Sequence, residues 1–263
     1  MIIALTIFGC KDVNQTEKGK EPSTHAKWGY SGETGPENWG ELEAGADCDG
    51  QNQSPVNIVD INTTPRNVIN DIEYIRYNEV DTIKSISNNG HTIQYNFNKE
   101  DNIVKYEGKE YKLIQFHFHS PAEHTINGVR YPLEIHAVHH CEETNDFIVF
   151  AALVQQGQPD STFTFLEKYL PIRAGETKEI NATYSFGSNI HELFGLDAIN
   201  VYTYNGSLTT PPCTEKVFWV VMKNANSASP EQIELLQTLM PLNNYREGQP
   251  LNGRTIHRET VLD

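Results

Sequence analysis

Two stretches of the chain decide its fold and its chemistry: Gln115-Phe116-His117-Phe118-His119 and Glu134-Ile135-His136-Ala137-Val138-His139-His140. Six of the ten histidines fall within the 24 residues from 117 to 140. In an extended strand, residues two apart point to the same face, about 6.5 Å apart along the chain. His117 and His119 can therefore share one face while the phenylalanines face the other side. The second stretch predicts a further strand that brings His136 beside them.

Three converging imidazoles indicate a zinc site. Neutral imidazole is the commonest metal ligand in proteins, and three protein ligands leave zinc an open position for chemistry. A structural zinc site normally has four protein ligands, and no cysteine pair with zinc-site spacing occurs here. A binuclear hydrolase site would need His124, after Glu123, as a further ligand. We favour His124 as a hydrogen-bonded core residue, and His139 likewise on the face opposite His136.

Length and composition bound the fold and the partners. The chain has 263 residues, 38% of them hydrophobic, with 12 Tyr and 11 Phe, which is enough for a sizeable core and argues against disorder. Mainly β folds of this length are commonly single domains. The formal net charge of −15 argues against nucleic acid or an anionic membrane surface as a partner.

The first ten residues, MIIALTIFGC, resemble the end of a secretory signal. This run is too short to span a bilayer. Residues 7–10 also resemble a lipoprotein cleavage box, in which Cys10 becomes lipidated and provides the protein's one contact with a membrane. Lipidation at Cys10, plain signal cleavage and an uncleaved apolar start remain three alternatives. Residues 11–26 are polar and suit a solvated tether, so residues 27–263 form the predicted catalytic domain. We expect an exported protein, periplasmic or lipid-anchored at a bacterial cell envelope.

Export would place the remaining cysteines in an oxidising compartment, where a disulfide persists. If Cys10 is an anchor, Cys48, Cys141 and Cys213 remain, and these allow three different single bridges. Their positions along the chain do not choose among the three.

Short strand-like runs separated by turn signals dominate the chain after residue 27. Asn89-Gly90 between two alternating runs predicts a hairpin. The predicted strands are Ile72–Tyr77, Thr82–Ser87, His91–Phe97, Tyr111–His119, Leu133–His140, Phe147–Gln155, Asn200–Tyr204 and Lys216–Met222.

Helices are few in this sequence. The strongest signal predicts a helix over Pro230–Met240, with Ser229 as N-cap, Gln232 completing a capping box and Pro241 as the stop. A second helix is predicted over Phe163–Leu170. The sequence therefore predicts a mainly β, single-domain fold built on a large, mostly antiparallel twisted sheet with short peripheral helices.

The run Gly206-Ser207-Leu208-Thr209-Thr210-Pro211-Pro212 predicts a rigid loop, because glycine permits a tight turn and prolines fix the backbone. On its own it reads as a structural turn. Beside a metal centre, a rigidly held hydroxyl can instead orient a reacting group.

Taken together and in order, these motifs make the chain resemble an α-class carbonic anhydrase of the exported bacterial type. The resemblance runs from about Trp28 to Arg254. Besides the stretches already quoted, it rests on the segments 51–56 (QNQSPV), 89–91 (NGH), 120–124 (SPAEH) and 249–254 (QPLNGR).

The resemblance implies zinc-dependent, reversible hydration of CO2 to bicarbonate and a proton. His117, His119 and His136 would hold Zn²⁺, with Gln115 and Glu134 behind them fixing the orientation of the rings. Thr209 would orient a zinc-bound hydroxide, and Glu123 would accept the hydroxyl proton of Thr209 in a hydrogen bond. Zinc lowers the pKa of bound water to about 7, for which carbonic anhydrase is itself the reference case.

The resemblance also assigns residues to the substrate, the solvent and the proton. Val138, Val149, Leu208 and Trp219 would line an apolar pocket for CO2, while Tyr30, Asn89 and Thr210 would order water. His91 would carry the proton to buffer, since its ordinary pKa of about 6.5 suits that task. The implied disulfide joins Cys48 and Cys213. The alternative function is a non-catalytic binding module on the same fold, although relatives of that kind typically lack one or more of the ligand histidines.

Overall fold

The computed structural model describes residues 28–42, 45–66, 72–78, 81–98, 102–184 and 200–260. The predicted signal or lipoprotein segment 1–10, with Cys10, and the tether 11–26 lie outside the described residues. Among the described residues, no helix is long and apolar enough to span a bilayer.

Extended strands are the main regular secondary structure of the described residues. They are β1 (Asn57–Ile58), β2 (Thr64–Pro65), β3 (Ile72–Arg76), β4 (Asp81–Asn88), β5 (Ile93–Phe97), β6 (Ile103–Tyr106), β7 (Lys109–His119), β8 (Thr125–Ile126), β9 (Val129–Arg130), β10 (Leu133–Cys141), β11 (Asp146–Gln156), β12 (Thr177–Tyr184), β13 (Asn200–Gly206), β14 (Val217–Met222), β15 (Asn226–Ala228) and β16 (His257–Thr260).

One large sheet organises these strands in the order β12-β4-β5-β7-β10-β11-β14-β13-β16-β2. Strands β3 and β6 extend from β7, and β15 pairs with β11. A small separate sheet has the order β1-β8-β9. Most neighbours in the large sheet are antiparallel, but β11 runs parallel to β14 and β15, and β16 runs parallel to β2. The predicted mainly β fold on one large sheet is confirmed, with these parallel pairs added.

The register of the central strands brings the histidine stretches together. His117 on β7 lies directly opposite His136 on the antiparallel neighbour β10, and Gln94 on β5 flanks His117 from the other side. Across the next strands, Val138 pairs with Val149, and Val149 pairs with Trp219. Because residues two apart share a face, these side chains form one continuous surface of the sheet.

The opposite surface of the sheet carries the larger core. Phe116 and Phe118, which alternate with the histidines on β7, are buried there with Tyr95 and Phe150. A second, smaller core on the histidine side contains Val138, Val149, Tyr204 and Trp219. The alternation of aromatic and imidazole side chains on β7 therefore separates the packing face from the chemical face.

Among the described residues there are three short α-helices, α1 (Trp39–Leu42), α2 (Ser161–Leu166) and α3 (Pro230–Leu239), and α2 and α3 pack into the larger core. Helix α3 begins with the predicted capping box, in which Ser229 and Gln232 bond each other's backbone. Helix α2 has Asp160 as its N-cap and continues as a 3-10 turn over Glu167–Tyr169. Four 3-10 turns in all are described, at Gly32–Thr34, Pro36–Asn38, Asp60–Asn62 and Glu167–Tyr169.

All eight predicted strands are present, with ends shifted by a few residues. The predicted hairpin is also present, with Gly90 at φ 86° in the turn between β4 and β5. His91 was predicted to begin a strand, but it lies in that turn, and β5 begins at Ile93. The two asparagines before Gly90 extend the turn, because the Asn89 side chain accepts hydrogen bonds from the backbone N–H groups of His91 and Thr92.

Candidate metal centre and active site

The side chains of His117, His119 and His136 converge on one point at the chemical face of the sheet. The Nε2 atoms of His117 and His119 are 3.1 Å apart. One ring nitrogen from each of the three residues lies within 4.8 Å of the other two. His119 and His136 are 1% exposed, and His117 is half-buried.

Each of these rings uses its other nitrogen for a hydrogen bond that fixes its orientation. His117 Nδ1 donates to Gln115 Oε1 at 2.9 Å, and His119 Nδ1 donates to the backbone oxygen of Asn244 at 2.7 Å. His136 Nε2 donates to Glu134 Oε1 at 2.7 Å. Because these oxygens only accept, the proton of each neutral ring sits on the engaged nitrogen. The lone pair is left on His117 Nε2, His119 Nε2 and His136 Nδ1, which are the converging atoms.

Burial keeps the three imidazoles neutral. Desolvation lowers the pKa of His117 well below its ordinary value, and the neighbouring His119 and His136 lower it further. Desolvation also lowers the pKa of His119 to about 4 and lowers that of His136. A metal ligand must offer an unprotonated nitrogen, so these shifts favour ligation near neutral pH.

The Glu134 carboxylate is buried and fully engaged. Its Oε1 accepts from His136 Nε2 and His124 Nδ1, both at 2.7 Å, and its Oε2 accepts from the backbone N–H groups of Glu123 and His124. Burial raises the pKa of Glu134, but His124 and His136 outweigh it and hold the pKa well below its usual range. The ionised carboxylate thereby fixes His136 and the start of the segment that carries Glu123.

Glu123 faces the same point with one oxygen that has no hydrogen-bond partner among the described residues. This Oε2 atom lies 3.5 Å from His119 Nε2 and 3.9 Å from His136 Nδ1. The other oxygen, Oε1, accepts from the backbone N–H of Arg246 at 2.9 Å. Burial raises the pKa of Glu123 to about 7, against lowering effects from His136, the Thr209 hydroxyl and the Arg246 N–H.

An apolar cavity of about 200 Å³ opens beside the histidines. Five of the residues that the family resemblance assigned to the substrate and solvent line this cavity: Val138, Val149, Leu208, Thr210 and Trp219. His117, His136, Gln115 and Thr209 line it as well. Ile114 and Phe147 also line it, although sequence reasoning did not select them. Phe147 is two residues before Val149 and so shares its face, whereas Ile114 is the extra residue at the register shift between Val138 and His139.

The remaining three predicted site residues lie elsewhere. The ring of His91 stacks on Trp28 with centroids 3.6 Å apart, and Tyr30 meets it edge-on at 6.2 Å. Tyr30 also lines a separate cavity of about 440 Å³ beside Arg246. Asn89 is exposed and shapes the backbone of the turn. None of these three lines the apolar cavity of the described structure.

The Thr209 loop is tied to the N-terminal part of the domain by a disulfide. Cys213, which follows the two prolines of the loop, is bonded to Cys48. Cys141 is free and buried on β10. The structure thus contains the pair that the family resemblance implied.

Sequence reasoning missed two residues that support the site. Asn244 accepts from His119 through its backbone, and Arg246 donates its backbone N–H to Glu123. Both follow helix α3 in a stretch without regular structure and act through backbone atoms. Because nearly every residue type offers the same backbone atoms, the sequence does not reveal these contacts. His124 is the hydrogen-bonded core residue that we favoured, since its Nε2 lies 2.6 Å from the Tyr204 hydroxyl.

Comparison with known proteins identifies the family to which this fold and this histidine centre belong. The family model of eukaryotic-type carbonic anhydrases matches residues 34–260. A carbonic anhydrase of Neisseria gonorrhoeae is 33% identical over 257 residues, covering 97% of this chain and 95% of that protein. One from Pectobacterium carotovorum is 33% identical over 256 residues, covering 97% of both chains.

A solved structure agrees with these sequence relatives. The α-carbonic anhydrase of Thermovibrio ammonificans, solved in complex with the inhibitor sulfanilamide, superposes with a TM-score of 0.79 at 35% identity. The match covers 88% of this chain and 98% of that one. This chain belongs to the α-class carbonic anhydrase family.

Proposed function

We propose that this carbonic anhydrase hydrates CO2 reversibly at a zinc ion held by His117, His119 and His136. One observation carries the proposal: each ring is fixed through one nitrogen, and the three remaining nitrogens converge. Such an arrangement is what a metal site with preoriented ligands requires.

The donor set fits zinc. Tetrahedral coordination with Zn–N distances of 2.0–2.1 Å separates ligand nitrogens by roughly 3.3 Å, and the two Nε2 atoms here are 3.1 Å apart. Three neutral ligands leave the full charge of the metal in place, and no thiolate or carboxylate ligand reduces it. When bound there, zinc acts as a Lewis acid that acidifies water at neutral pH.

The cavity beside the metal centre suits CO2. This substrate is small, neutral and without a dipole, so it gains more from apolar contact than from hydrogen bonds. Val138, Val149, Leu208 and Trp219 line the cavity, together with Ile114 and Phe147. These side chains exclude bulk water while they hold the carbon of CO2 near the converging nitrogens.

Thr209 and Glu123 are proposed to orient the attacking oxygen. The Thr209 hydroxyl can accept a hydrogen bond from a water-derived oxygen while it donates a hydrogen bond to the Glu123 carboxylate. The Arg246 N–H holds Glu123 Oε1, which leaves Oε2 as the acceptor on the side of the site. A metal dication nearby would lower the pKa of Glu123 below the value of about 7 that burial produces, so that it stays ionised as this role requires.

His91 is proposed to remove the proton that hydration releases. It lies in the β4–β5 turn, half-buried against Trp28, so its ring reaches both protein and solvent. Imidazole is the side chain best suited to take a proton and pass it to buffer near neutral pH.

A CO2-hydration assay with and without a strong zinc chelator, paired with metal analysis, tests the proposal. We expect about one zinc per chain, activity that chelation abolishes, and activity that added zinc restores. A protein with full zinc occupancy and no hydration activity would instead support the binding module. A protein that hydrates CO2 equally well without metal would contradict the zinc site.

We also propose that the domain acts outside the cytosol. The Cys48–Cys213 disulfide supports this, since such bonds persist mainly in oxidising compartments. The segment 1–10 would direct export, and a lipid on Cys10 would anchor the protein at the envelope through the tether 11–26. Intact mass of the mature protein tests this, because a lipidated N-terminal Cys10, a lipid-free cleaved chain and an unprocessed chain differ in mass.

A further inference from the structure

We propose that the buried carboxamide of Asn244 is a positioning group, which holds the turn carrying His91 against the strand that carries His117 and His119. The inference rests on the proposed role of His91 as the proton carrier. Asn244 lies outside both the turn and strand β7, and its side chain fixes their relative placement.

The Asn244 side chain is completely buried and bonds to both elements. Its Nδ2 donates to the backbone oxygen of His91 at 3.0 Å and to that of Phe118, between the two β7 histidines, at 3.1 Å. Its Oδ1 accepts from the backbone N–H of Ser120 at 2.7 Å. One planar group thus joins the turn to the end of the ligand strand.

The turn has a second bond to the same strand. The hydroxyl of Thr92, next to His91, donates to the Phe118 oxygen at 2.6 Å and accepts from the Phe118 N–H at 3.2 Å. On its outer side, the turn is held by Asn89, an exposed residue. Asn244 therefore bonds directly to the His91 backbone and, through the same amide, to the ligand strand.

The backbone of Asn244 makes a separate contact, from its oxygen to His119 Nδ1. A side-chain substitution leaves this oxygen in place, so loss of the carboxamide should affect the turn more than the metal ligand. The structure therefore predicts a defect in proton transfer with metal binding preserved.

Three variants of the full zinc-loaded protein test the inference. Asn244→Ala removes the carboxamide, and Asn244→Asp keeps an acceptor for Ser120 while it removes the amide donor to His91. Asn102→Ala is the matched control, because Asn102 is also a buried asparagine whose oxygen accepts a backbone N–H, from Asn78, outside the site. His91→Ala serves as the reference for loss of the proton carrier.

For both Asn244 variants we expect kcat in dilute buffer to fall about tenfold, toward the value of His91→Ala, with recovery on adding imidazole. The ratio kcat/KM should stay within about twofold, because CO2 attack precedes this proton transfer. Zinc content should stay at about one per chain. In the zinc-free protein, hydrogen exchange at the His91 and Thr92 amides should become about tenfold faster. Asn102→Ala should change none of these quantities.

Unchanged exchange at the His91 turn in a folded Asn244 variant would overturn the inference, as would equal losses of kcat and kcat/KM accompanied by loss of zinc. If Asn244→Ala does not fold, the same readings on Asn244→Asp decide. If His91→Ala itself behaves like wild type, the proposed proton carrier is wrong, whereas the exchange measurement still reports on the Asn244 bonds.

Discussion

At the scale of single residues, the chemistry depends on which nitrogen of each ring is already bonded. Gln115, Glu134 and the Asn244 backbone each take one nitrogen, and the other three nitrogens meet. Strand periodicity and the family motifs both pointed to the three histidines, whereas Gln115 and Glu134 were implied by the family motifs alone. It could not predict Asn244, since a backbone oxygen brought in from 125 residues away leaves no local pattern.

Removal of one ligand should abolish tight metal binding. We expect purified His117→Ala to retain almost no zinc after dialysis, because two imidazoles do not complete a zinc site. The measurement is zinc per chain by elemental analysis, alongside circular dichroism to confirm folding. His140→Ala is the control, since His140 lies on the same strand as His136 but bonds to Asn145 away from the centre. Wild-type zinc content in His117→Ala would remove this residue from the site.

The Thr209 hydroxyl should matter for turnover and not for zinc. Thr209→Val keeps the shape of the side chain and removes its proton, so we expect CO2 hydration to fall by roughly 100-fold. Thr209→Ser keeps the hydroxyl and should recover most of the activity. The assay is stopped-flow hydration at matched zinc content. Equal rates for valine and serine variants would show that the hydroxyl takes no part.

At the scale of secondary structure, strongly patterned elements were predicted well and polar ones were missed. Strand β10 shows a clear apolar periodicity. Helix α3 shows one too, and it begins with a capping box. Strand β16, with the sequence HRET, lacks an apolar alternation, and the polar first half of β12 hides the short alternation from Ile180 to Tyr184. Neighbouring strands supply the hydrogen-bond partners of both. The parallel pairing of β11 with β14 was also unpredictable, since it joins segments that are distant in sequence.

Helix α3 gives a prediction about stability at this scale. The Ser229 hydroxyl accepts from the Gln232 N–H, and the Gln232 side chain bonds back to Ser229. Ser229→Ala should therefore lower the free energy of unfolding by about 1 kcal/mol. Ser229→Thr keeps the cap and should cost less. Urea unfolding measures both, and hydration activity should be unchanged because the helix packs on the face opposite the histidines. A loss of activity in folded Ser229→Ala would contradict that separation.

At the scale of the whole molecule, the large sheet divides a packing face from a chemical face, yet both bury histidines. His139 lies one strand position out of phase with His136 and Val138, and it is completely buried. Its Nδ1 donates to the backbone oxygen of Ile148 at 3.2 Å, and its Nε2 accepts from the Tyr77 hydroxyl at 2.8 Å. The neutral ring is thus bonded at both nitrogens, and protonation would place a positive charge in the buried core.

This arrangement makes the stability of the zinc-free protein depend on pH. Burial lowers the pKa of His139 from 6.5 to about 4, while its bonds to Ile148 and Ala137 oppose the shift. Between these values the unfolded chain binds the proton and the folded chain does not, so stability is present above pH 6.5 and is lost as the pH falls. From pH 7.5 to 5.5 the loss from this group is about 1.5 kcal/mol. His117, His119 and His136 have lowered pKa values too, so they add to the slope in the same direction.

His139→Gln isolates the contribution of His139. Glutamine can bond at this position but does not titrate, so the variant should be less stable at pH 7.5 and should lose about 1.5 kcal/mol less than wild type on going to pH 5.5. Urea unfolding of the zinc-free proteins at the two pH values measures the difference, with His140→Gln as a control at a half-buried position on the same strand. Parallel losses in wild type and His139→Gln would mean that His139 is protonated equally in both states. The pH dependence would then come from other titrating groups, the ligand histidines among them.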